Sequence, residues 1–361
     1  MAAPSNHADP KPFPELLRSA LQGEYDLVID ARSEREFYED HLPGAVNLPV
    51  VVNDEYAEVG TTHRTDTHRA YVIGVSYALK NISHAIHDLV SRYPKDARML
   101  VYCFRGGKRS KLWLDALSTI GYSVERLPGG WKAYRAWVRE QLAQLPSRFS
   151  YHVLCGPTGC GKTRMLSALA DVGAQVLDLE GLASHRGSLI GDIPGVAQPT
   201  QKWFDSLLVD KLRRFEPSRP VWVESESKKI GAIQLPAELL QAMHASKVFA
   251  ISAPMSERVK LWREDYSHFE HDLAAMMERL RHLRPLVGGE EFALWERLAA
   301  EGRAAELFQR LMEAHYDPAY ARSIGKNYPA VEESSKLTLE RLDRQALLEV
   351  AEQLHRVPIT A

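Results

Sequence analysis

Cysteine and long apolar runs are both scarce in this chain. Its 361 residues include only three cysteines; one is far from the other two, so a disulfide framework is excluded and a reducing compartment is favoured. No apolar run approaches the roughly 20 residues that a membrane helix needs. The N-terminus also lacks the basic and apolar segments of a secretory signal. These absences predict a cytoplasmic protein without a membrane partner.

Neither sign of charge dominates the chain as a whole. The formal net charge is −2, which argues against a nucleic-acid coat over the entire surface. Between residues 101 and 139, however, there are eight basic side chains and only two acidic ones. Such a patch attracts a polyanion, although a solvated basic helix face explains it equally well. The candidate contacts to a polyanion are Lys111, Lys132, Arg135 and Arg139.

Short apolar runs that alternate with helical stretches predict two α/β domains with parallel strands. In the second domain, apolar strands joined by helices are typical of a doubly wound sheet. From about residue 255 onward the strands are expected to stop and amphipathic helices to follow. The predicted parts are a disordered lead-in (1–14), a first α/β domain (15–143), a linker (144–150), a P-loop α/β domain (151–254) and a helical C-terminal region (255–361).

The stretch CFRGGKRS places Cys103 after an apolar strand and before a helix. The backbone N–H groups of a glycine-rich turn converge into a nest, and a helix N-terminus adds positive potential. A cysteine in such a setting is predicted to be a reactive thiolate. The structural alternative is a buried cysteine beside a basic surface loop. The candidate anion-binding residues of the loop are Arg105, Gly106, Gly107, Lys108, Arg109 and Ser110.

Two flanking segments, together with this loop, resemble rhodanese domains. LVIDARSEREFYEDHLPGAVNLP (27–49) is similar to their first signature, and LPGGWKAYRAW (127–137) to their closing segment. The resemblance covers about residues 15–140 and implies a rhodanese-like fold. The Cys-x5-Arg spacing also approaches a phosphatase loop, so a phosphatase remains the alternative for this domain. Tyr102 stands where many cysteine phosphatases carry histidine, and no acid loop is visible, which both argue against it.

GPTGCGKT (156–163) matches the G-x-x-x-x-G-K-[ST] pattern between an apolar strand and a helix. Lys162 is expected to reach phosphate oxygens, and Thr163 to offer a ligand for Mg²⁺. Glu224, at the end of PVWVE, is the candidate acidic partner of that ion. Aspartate is commoner there, so nucleotide hydrolysis is not expected, and no further metal-ligand spacing is found. Cys155 and Cys160 are expected to pack rather than react. The other candidate diphosphate-binding residues are Gly156, Gly159, Gly161, Arg186 and Lys228.

A rhodanese-like domain followed by a P-loop domain resembles the bacterial tRNA 2-selenouridine synthase family. The segments NDEYAEVGT, AYVIG, DLEGLASHRGS, VESESKKIG and HYDPAY add to the resemblance, which runs nearly end to end. It implies exchange of sulfur for selenium at the wobble 2-thiouridine of tRNA. The implied co-substrates are selenophosphate and geranyl diphosphate, with S-geranylated thiouridine as an intermediate and Mg²⁺ as a candidate ion. The implied partners are tRNA and, as a candidate, a selenophosphate-supplying enzyme.

The resemblance also implies a role for each loop. The P-loop would take the diphosphate, and Cys103 with its loop would take selenophosphate. Gly74, in AYVIG, would shape the selenation site, and the basic patch would contact the tRNA backbone.

Two other classes of function remain open. An ATP-coupled sulfurtransferase would turn over nucleotide in a manner that depends on Lys162. A non-catalytic tRNA-binding module would bind tRNA equally well with Cys103 replaced.

Overall fold

The computed structural model describes residues 11–331 and 334–356. They form two compact units. The first unit contains the described residues up to Gln141 together with Thr200–Asp210, and the second contains Leu142–Pro199 and the described residues from Lys211 onward. Residues 1–10 of the predicted lead-in lie outside the described residues, whereas residues 13 and 14 already belong to the first helix.

A parallel sheet forms the centre of the first unit. In spatial order its strands are β2-β1-β3-β4. The middle strands are buried along almost their whole length, as their uninterrupted apolar sequences require. The strands are Leu27–Asp30 (β1), Val46–Asn47 (β2), Arg98–Tyr102 (β3) and Ser123–Arg126 (β4). The helices of this part of the chain are Phe13–Leu21 (α1), Glu34–Glu39 (α2), Asn53–Thr65 (α3), Thr67–Asp88 (α4), Lys108–Ile120 (α5) and Gly130–Gln144 (α6).

A second parallel sheet, in the order β11-β10-β5-β7-β6, forms the centre of the second unit, and β8 and β9 pair as a short antiparallel ribbon. The bounds of these strands are Tyr151–Cys155 (β5), Gln175–Leu177 (β6), Val221–Glu224 (β7), Lys229–Ile230 (β8), Ile233–Gln234 (β9), Lys247–Ser252 (β10) and Ser335–Thr338 (β11). The expectation that strands stop after residue 255 is wrong, because β11 pairs in parallel with β10. This strand is mostly exposed at the sheet edge and therefore lacks an apolar sequence signal.

Most of the C-terminal region is helical, as predicted, and it has its own apolar core around Trp262, Trp295 and Phe308. The helices that follow the P-loop are Lys162–Asp171 (α7), Leu179–Ala183 (α8), Gln201–Leu212 (α9), Ala237–His244 (α10), Met255–Asp265 (α11), Ser267–Glu270 (α12), Leu273–Leu280 (α13), Arg284–Val287 (α14), Gly289–Ala300 (α15), Ala304–Leu311 (α16), Asp317–Asn327 (α17) and Arg344–Arg356 (α18). None of the helices in the described ranges combines the length and the apolar character needed to cross a membrane.

Most of α9 belongs to the first unit, although its sequence lies in the middle of the P-loop domain. Arg135 of α6 forms an ion pair with Asp205 of α9 and donates a hydrogen bond to the carbonyl of Lys202 at 3.1 Å. Ser206 donates to Asp40 at 2.6 Å, and burial raises the pKa of Asp40 to about 6. Arg135 is only 8% exposed. It is therefore not free to contact a polyanion, which corrects the interpretation of its sequence.

The ion pair of Arg135 predicts a large loss of stability for Arg135→Ala. Removing one partner of a buried pair leaves the other charge, here that of Asp205, without compensation, at a cost of about 3–5 kcal/mol. Lys132→Ala, at an exposed position of the same helix, should cost less than about 0.5 kcal/mol. Urea unfolding followed by tryptophan fluorescence measures both changes. Equal stability of the two variants would contradict a structural role for Arg135.

Candidate active site

The P-loop joins β5 to α7 as a tight turn. A Cβ atom at Gly156 would lie 2.5 Å from the sulfur of Cys160 and 2.6 Å from the carbonyl oxygen of Ile251, so only glycine fits. Gly159 and Gly161 have φ angles of +78° and +84°, in the region that favours glycine. These residues leave the backbone N–H groups and the N-terminus of α7 open to an anion.

Lys162, the first residue of α7, is turned back onto its own loop. Its Nζ donates to the carbonyl oxygen of Gly156 at 2.8 Å and to that of Pro157 at 3.4 Å. Burial opposes its charge, but nearby acidic groups outweigh burial and raise its pKa. Lys162 therefore carries a proton and can stabilise negative charge on a ligand.

Three carboxylates meet beside this lysine: those of Glu180 in α8, Glu224 at the end of β7, and Glu226. One oxygen from each lies within 4.8 Å of the others. The Thr163 hydroxyl donates to Glu224 Oε2 at 3.1 Å, and Glu224 Oε1 is buried without a hydrogen-bond partner. Burial raises the pKa of all three; neighbouring carboxylates add to this effect, and the charge of Lys162 opposes it. An oxygen-rich set with an unsatisfied buried acceptor is suited to a hard divalent cation.

A cavity of about 640 Å³ opens next to the P-loop and these carboxylates. Arg186 also lines it, and the Nη1 of this residue is buried without a hydrogen-bond partner. The apolar and aromatic residues of the lining are Leu189, Leu261, Trp262, Tyr266, Leu283, Leu286, Tyr316 and Tyr320. The guanidinium of Arg186 lies 5.3 Å from the centre of the Tyr266 ring, and the Nζ of Lys162 lies 6.0 Å from that of Tyr320. The cavity therefore offers both positive charge and apolar contacts to an amphiphilic anion.

The structure brings most of the predicted diphosphate-binding residues to this cavity: Gly159, Gly161, Lys162, Thr163, Arg186 and Glu224 line it. Gly156 does not line the cavity, but it allows the tight turn of the loop. Lys228 does not line the cavity, because it lies in a separate exposed depression beside Leu240 and His244 of α10. Cys155 and Cys160 are fully buried, and burial raises the pKa of both thiols.

The cysteine loop of the first unit also forms a strand–turn–helix junction. Cys103 follows β3 and is 3% exposed. Its sulfur accepts a hydrogen bond from the backbone N–H of Gly107 at 3.2 Å and lies 3.3 Å from the hydroxyl of Ser110. Gly106, with φ of +66°, packs against the backbone of Leu127 and Gly129. The sulfur therefore lies at the N-terminus of α5, where one backbone N–H donates to it and a hydroxyl is within hydrogen-bond distance.

The cations of this loop differ in their partners. Arg109 forms an ion pair with Glu36 at 2.6 Å, while Arg105 and Lys108 are exposed. The Nζ of Lys108 lies 3.8 Å from the centre of the Tyr71 ring in α4. Gly74 lies one turn farther along α4 and faces Val59 of α3, rather than belonging to the loop itself. Of the predicted polyanion contacts, Lys132 and Arg139 are exposed, and Lys111 pairs with Asp115 at 2.7 Å.

Glu180 and Glu226 are site residues that the sequence analysis missed. Both follow the carboxyl ends of strands in the P-loop sheet, Glu180 after β6 and Glu226 after β7. Ligands of open α/β sheets bind at this edge. The position of an acidic residue just beyond the end of a predicted strand could therefore have indicated both site residues.

Comparisons with known proteins identify relatives of both units. The rhodanese-like domain family matches residues 13–136, and the family described as the tRNA 2-selenouridine synthase AAA domain matches residues 149–286. The tRNA 2-selenouridine synthase of Nitrosomonas europaea is 37% identical over 66% of this chain and 63% of its own length. That of Cupriavidus necator is 33% identical over 81% of this chain and 87% of its own length. The match thus spans just under two thirds of the first relative and most of the second.

The clustered carboxylates predict a stability that falls as the pH rises. A carboxyl group whose pKa is raised by folding binds its proton more tightly in the folded state. When the pH rises above the ordinary pKa of the group, the unfolded state loses this proton before the folded state does. The free energy of unfolding therefore falls as the pH rises. Burial, with the charge of Glu224, raises the pKa of Glu226 to about 8. Without divalent cations, Glu226→Gln should increase the free energy of unfolding at about pH 8 and have less effect at about pH 5.

Urea titrations at the two pH values measure this difference. Glu238→Gln, at an exposed site of α10, is the matched control and should change stability little at either pH. A Glu226→Gln variant without any gain at the higher pH would contradict the proposed repulsion.

Proposed function

The chain belongs to the tRNA 2-selenouridine synthase family, and on that premise we propose that it converts wobble 2-thiouridine of tRNA to 2-selenouridine. Selenophosphate would supply the selenium. Geranyl diphosphate would first alkylate the sulfur, because an alkylated sulfur leaves as a thiol far more readily than sulfur leaves from thiouridine itself. The two loops would serve these two half-reactions.

The observation that carries the geranyl step is the mixed lining of the cavity in the second unit. The P-loop, Lys162 and Arg186 line it together with leucine and aromatic side chains. A prenyl diphosphate likewise combines a charged part with an apolar part. The cavity volume of about 640 Å³ is within the range of small-molecule sites.

In the geranyl step the sulfur of thiouridine would attack C1 of the donor. A carbon–sulfur bond forms, and the carbon–oxygen bond breaks with its electron pair passing to diphosphate. Lys162, the P-loop N–H groups and Arg186 would stabilise the charge that develops on this leaving group. Glu224, Glu226 and Thr163 would hold Mg²⁺, which neutralises phosphate charge when bound.

In the selenium step the selenium of selenophosphate would attack C2 of the geranylated base, and geranyl thiol would leave. Water would then cleave the phosphorus–selenium bond, which gives phosphate and selenouridine. The Gly107 N–H at the N-terminus of α5 and the exposed Arg105 and Lys108 on the same loop would suit the tetrahedral oxyanion of selenophosphate. Cys103 would either order this anion or carry the selenium.

If each loop serves one half-reaction, two variants should stop the reaction at different steps. Cys103→Ala should accumulate geranylated thiouridine without selenouridine, since geranyl transfer needs no thiolate. Lys162→Ala should lower geranylation about 100-fold or more, the typical cost of losing a group that stabilises transition-state charge. Mass spectrometry of the wobble nucleoside, after incubation with thiolated tRNA and both co-substrates, measures each product.

Pre-geranylated tRNA provides the control for this experiment. With it, Lys162→Ala should recover selenation, whereas Cys103→Ala should not. Loss of geranylation in a correctly folded Cys103→Ala variant would contradict the division of labour. Absence of both products with the unaltered chain would contradict the proposed function itself.

An ATP-coupled sulfurtransferase is the second candidate, because a P-loop is also typical of nucleotide-binding proteins. The leucine residues in the cavity lining and the glutamate at position 224 favour the prenyl donor instead. We therefore expect little ATP hydrolysis and weak competition by ATP against geranyl diphosphate. A phosphate-release assay tests this expectation. Robust turnover that disappears in Lys162→Ala would support the ATP-coupled function.

A further inference from the structure

An apolar face on the α3–α4 hairpin is exposed. Tyr71, Val72, Val75 and Leu79 lie on one side of α4 and are 45–58% exposed. Tyr56 of α3 is 48% exposed. The buried residues of α4 are Ala70, Ala78 and Ile82, and the last two lie in its C-terminal half, so the exposed tyrosine and valines belong to the half that extends away from these contacts. Contiguous exposed apolar side chains of this kind mark an interaction surface.

Basic side chains lie near the two tyrosines of this face. The Nζ of Lys108 lies 3.8 Å from the centre of the Tyr71 ring. The guanidinium of Arg109, which is paired with Glu36, lies 5.8 Å from the centre of the Tyr56 ring. Arg64 and Arg69, near the turn of the hairpin, are exposed.

The hairpin also carries acidic groups. Glu55 pairs with Lys80 at 2.7 Å, Glu58 accepts a hydrogen bond from Tyr77 at 2.6 Å, and Asp66 caps α4 by accepting a hydrogen bond from the backbone N–H of Arg69. The positive charge near the turn comes from Arg64, Arg69 and Lys108, and the exposed rings of Tyr71 and Tyr56 offer planar apolar contacts.

We infer that this face binds the single-stranded anticodon loop of tRNA, with bases stacked on Tyr71 and Tyr56. Exposed tyrosines beside cations suit unstacked bases and their phosphates, whereas a purely aliphatic face would suit another protein surface. The inference rests on the proposed function. It also places the bound loop beside the selenation site, because Lys108 directly follows Gly107, which donates to the Cys103 sulfur.

Binding of an anticodon stem-loop RNA with 2-thiouridine at the wobble position tests the inference. Fluorescence anisotropy with the full-length chain should show Tyr71→Ala to bind about tenfold or more weakly, the typical loss of one base–aromatic stack. Tyr71→Phe keeps the ring and should bind like the unaltered chain. Tyr38→Ala removes a tyrosine of α2 that is more exposed, at 66% against 46% for Tyr71, and should also leave the affinity unchanged.

The salt dependence separates stacking from charge. Arg64→Gln with Arg69→Gln should reduce the slope of log affinity against log salt by about 1.4, or 0.7 for each lost phosphate contact to a single strand. Tyr71→Ala should lower the affinity without a change of slope. Circular dichroism melting shows whether each variant is folded.

Three results would overturn the inference. First, Tyr71→Ala could bind the RNA as tightly as the unaltered chain binds it, while the unaltered chain forms product. The face is then not the RNA site, although the proposed function stands. If Val72→Ser with Val75→Ser converts a dimer to a monomer at unchanged RNA affinity, the face is an interface between two copies. If the unaltered chain neither binds the RNA nor modifies thiolated tRNA, the inference and the proposed function are both wrong.

Discussion

The P-loop cavity depends on one constraint, the electrostatic repulsion among the carboxylates of Glu180, Glu224 and Glu226. Three carboxylates approach within 4.8 Å of one another, and one of their oxygens is buried without a partner. Lys162 compensates part of this charge but is itself held by backbone carbonyls. A diphosphate that enters the cavity would meet the same carboxylates. Its binding and the neutralisation of these groups, by a cation or by protons, must therefore favour one another.

Local sequence patterns predicted the parts of both sites that depend on neighbouring residues. Each loop is a strand, a glycine-rich turn and a helix within about a dozen residues, so its geometry follows from the turn itself. Gly156, Gly161 and Lys162 are where the pattern requires them, and Cys103 lies at the end of a buried strand. The parallel sheets were predictable for the same reason, because their strands are continuous apolar runs.

Features that depend on partners distant in sequence could not be predicted in this way. Arg135 has the sequence of an exposed basic helix, yet its partner, Asp205, lies 70 residues away. Glu180 and Glu226 become neighbours only because β6 and β7 are adjacent in the sheet. Strand β11 is too short and too polar to be recognised without β10 beside it. Burial and pairing, rather than residue type, decide the role of each.

The α4 helix is a case in which apolar residues, rather than charged ones, have a role that the sequence alone could not show. An apolar helix in a sequence is normally interpreted as core, since burial is what usually explains apolar residues on several sides. Here Gly74 faces α3, where a Cβ atom would make an ordinary contact with Val59 at 3.5 Å. Tyr71, Val72, Val75 and Leu79 are nevertheless left exposed by the described residues. Because Lys108 of the Cys103 loop lies against Tyr71, the proposed ligand would contact the exposed face and this loop together, with its bases stacked on the rings and its phosphates near the cations.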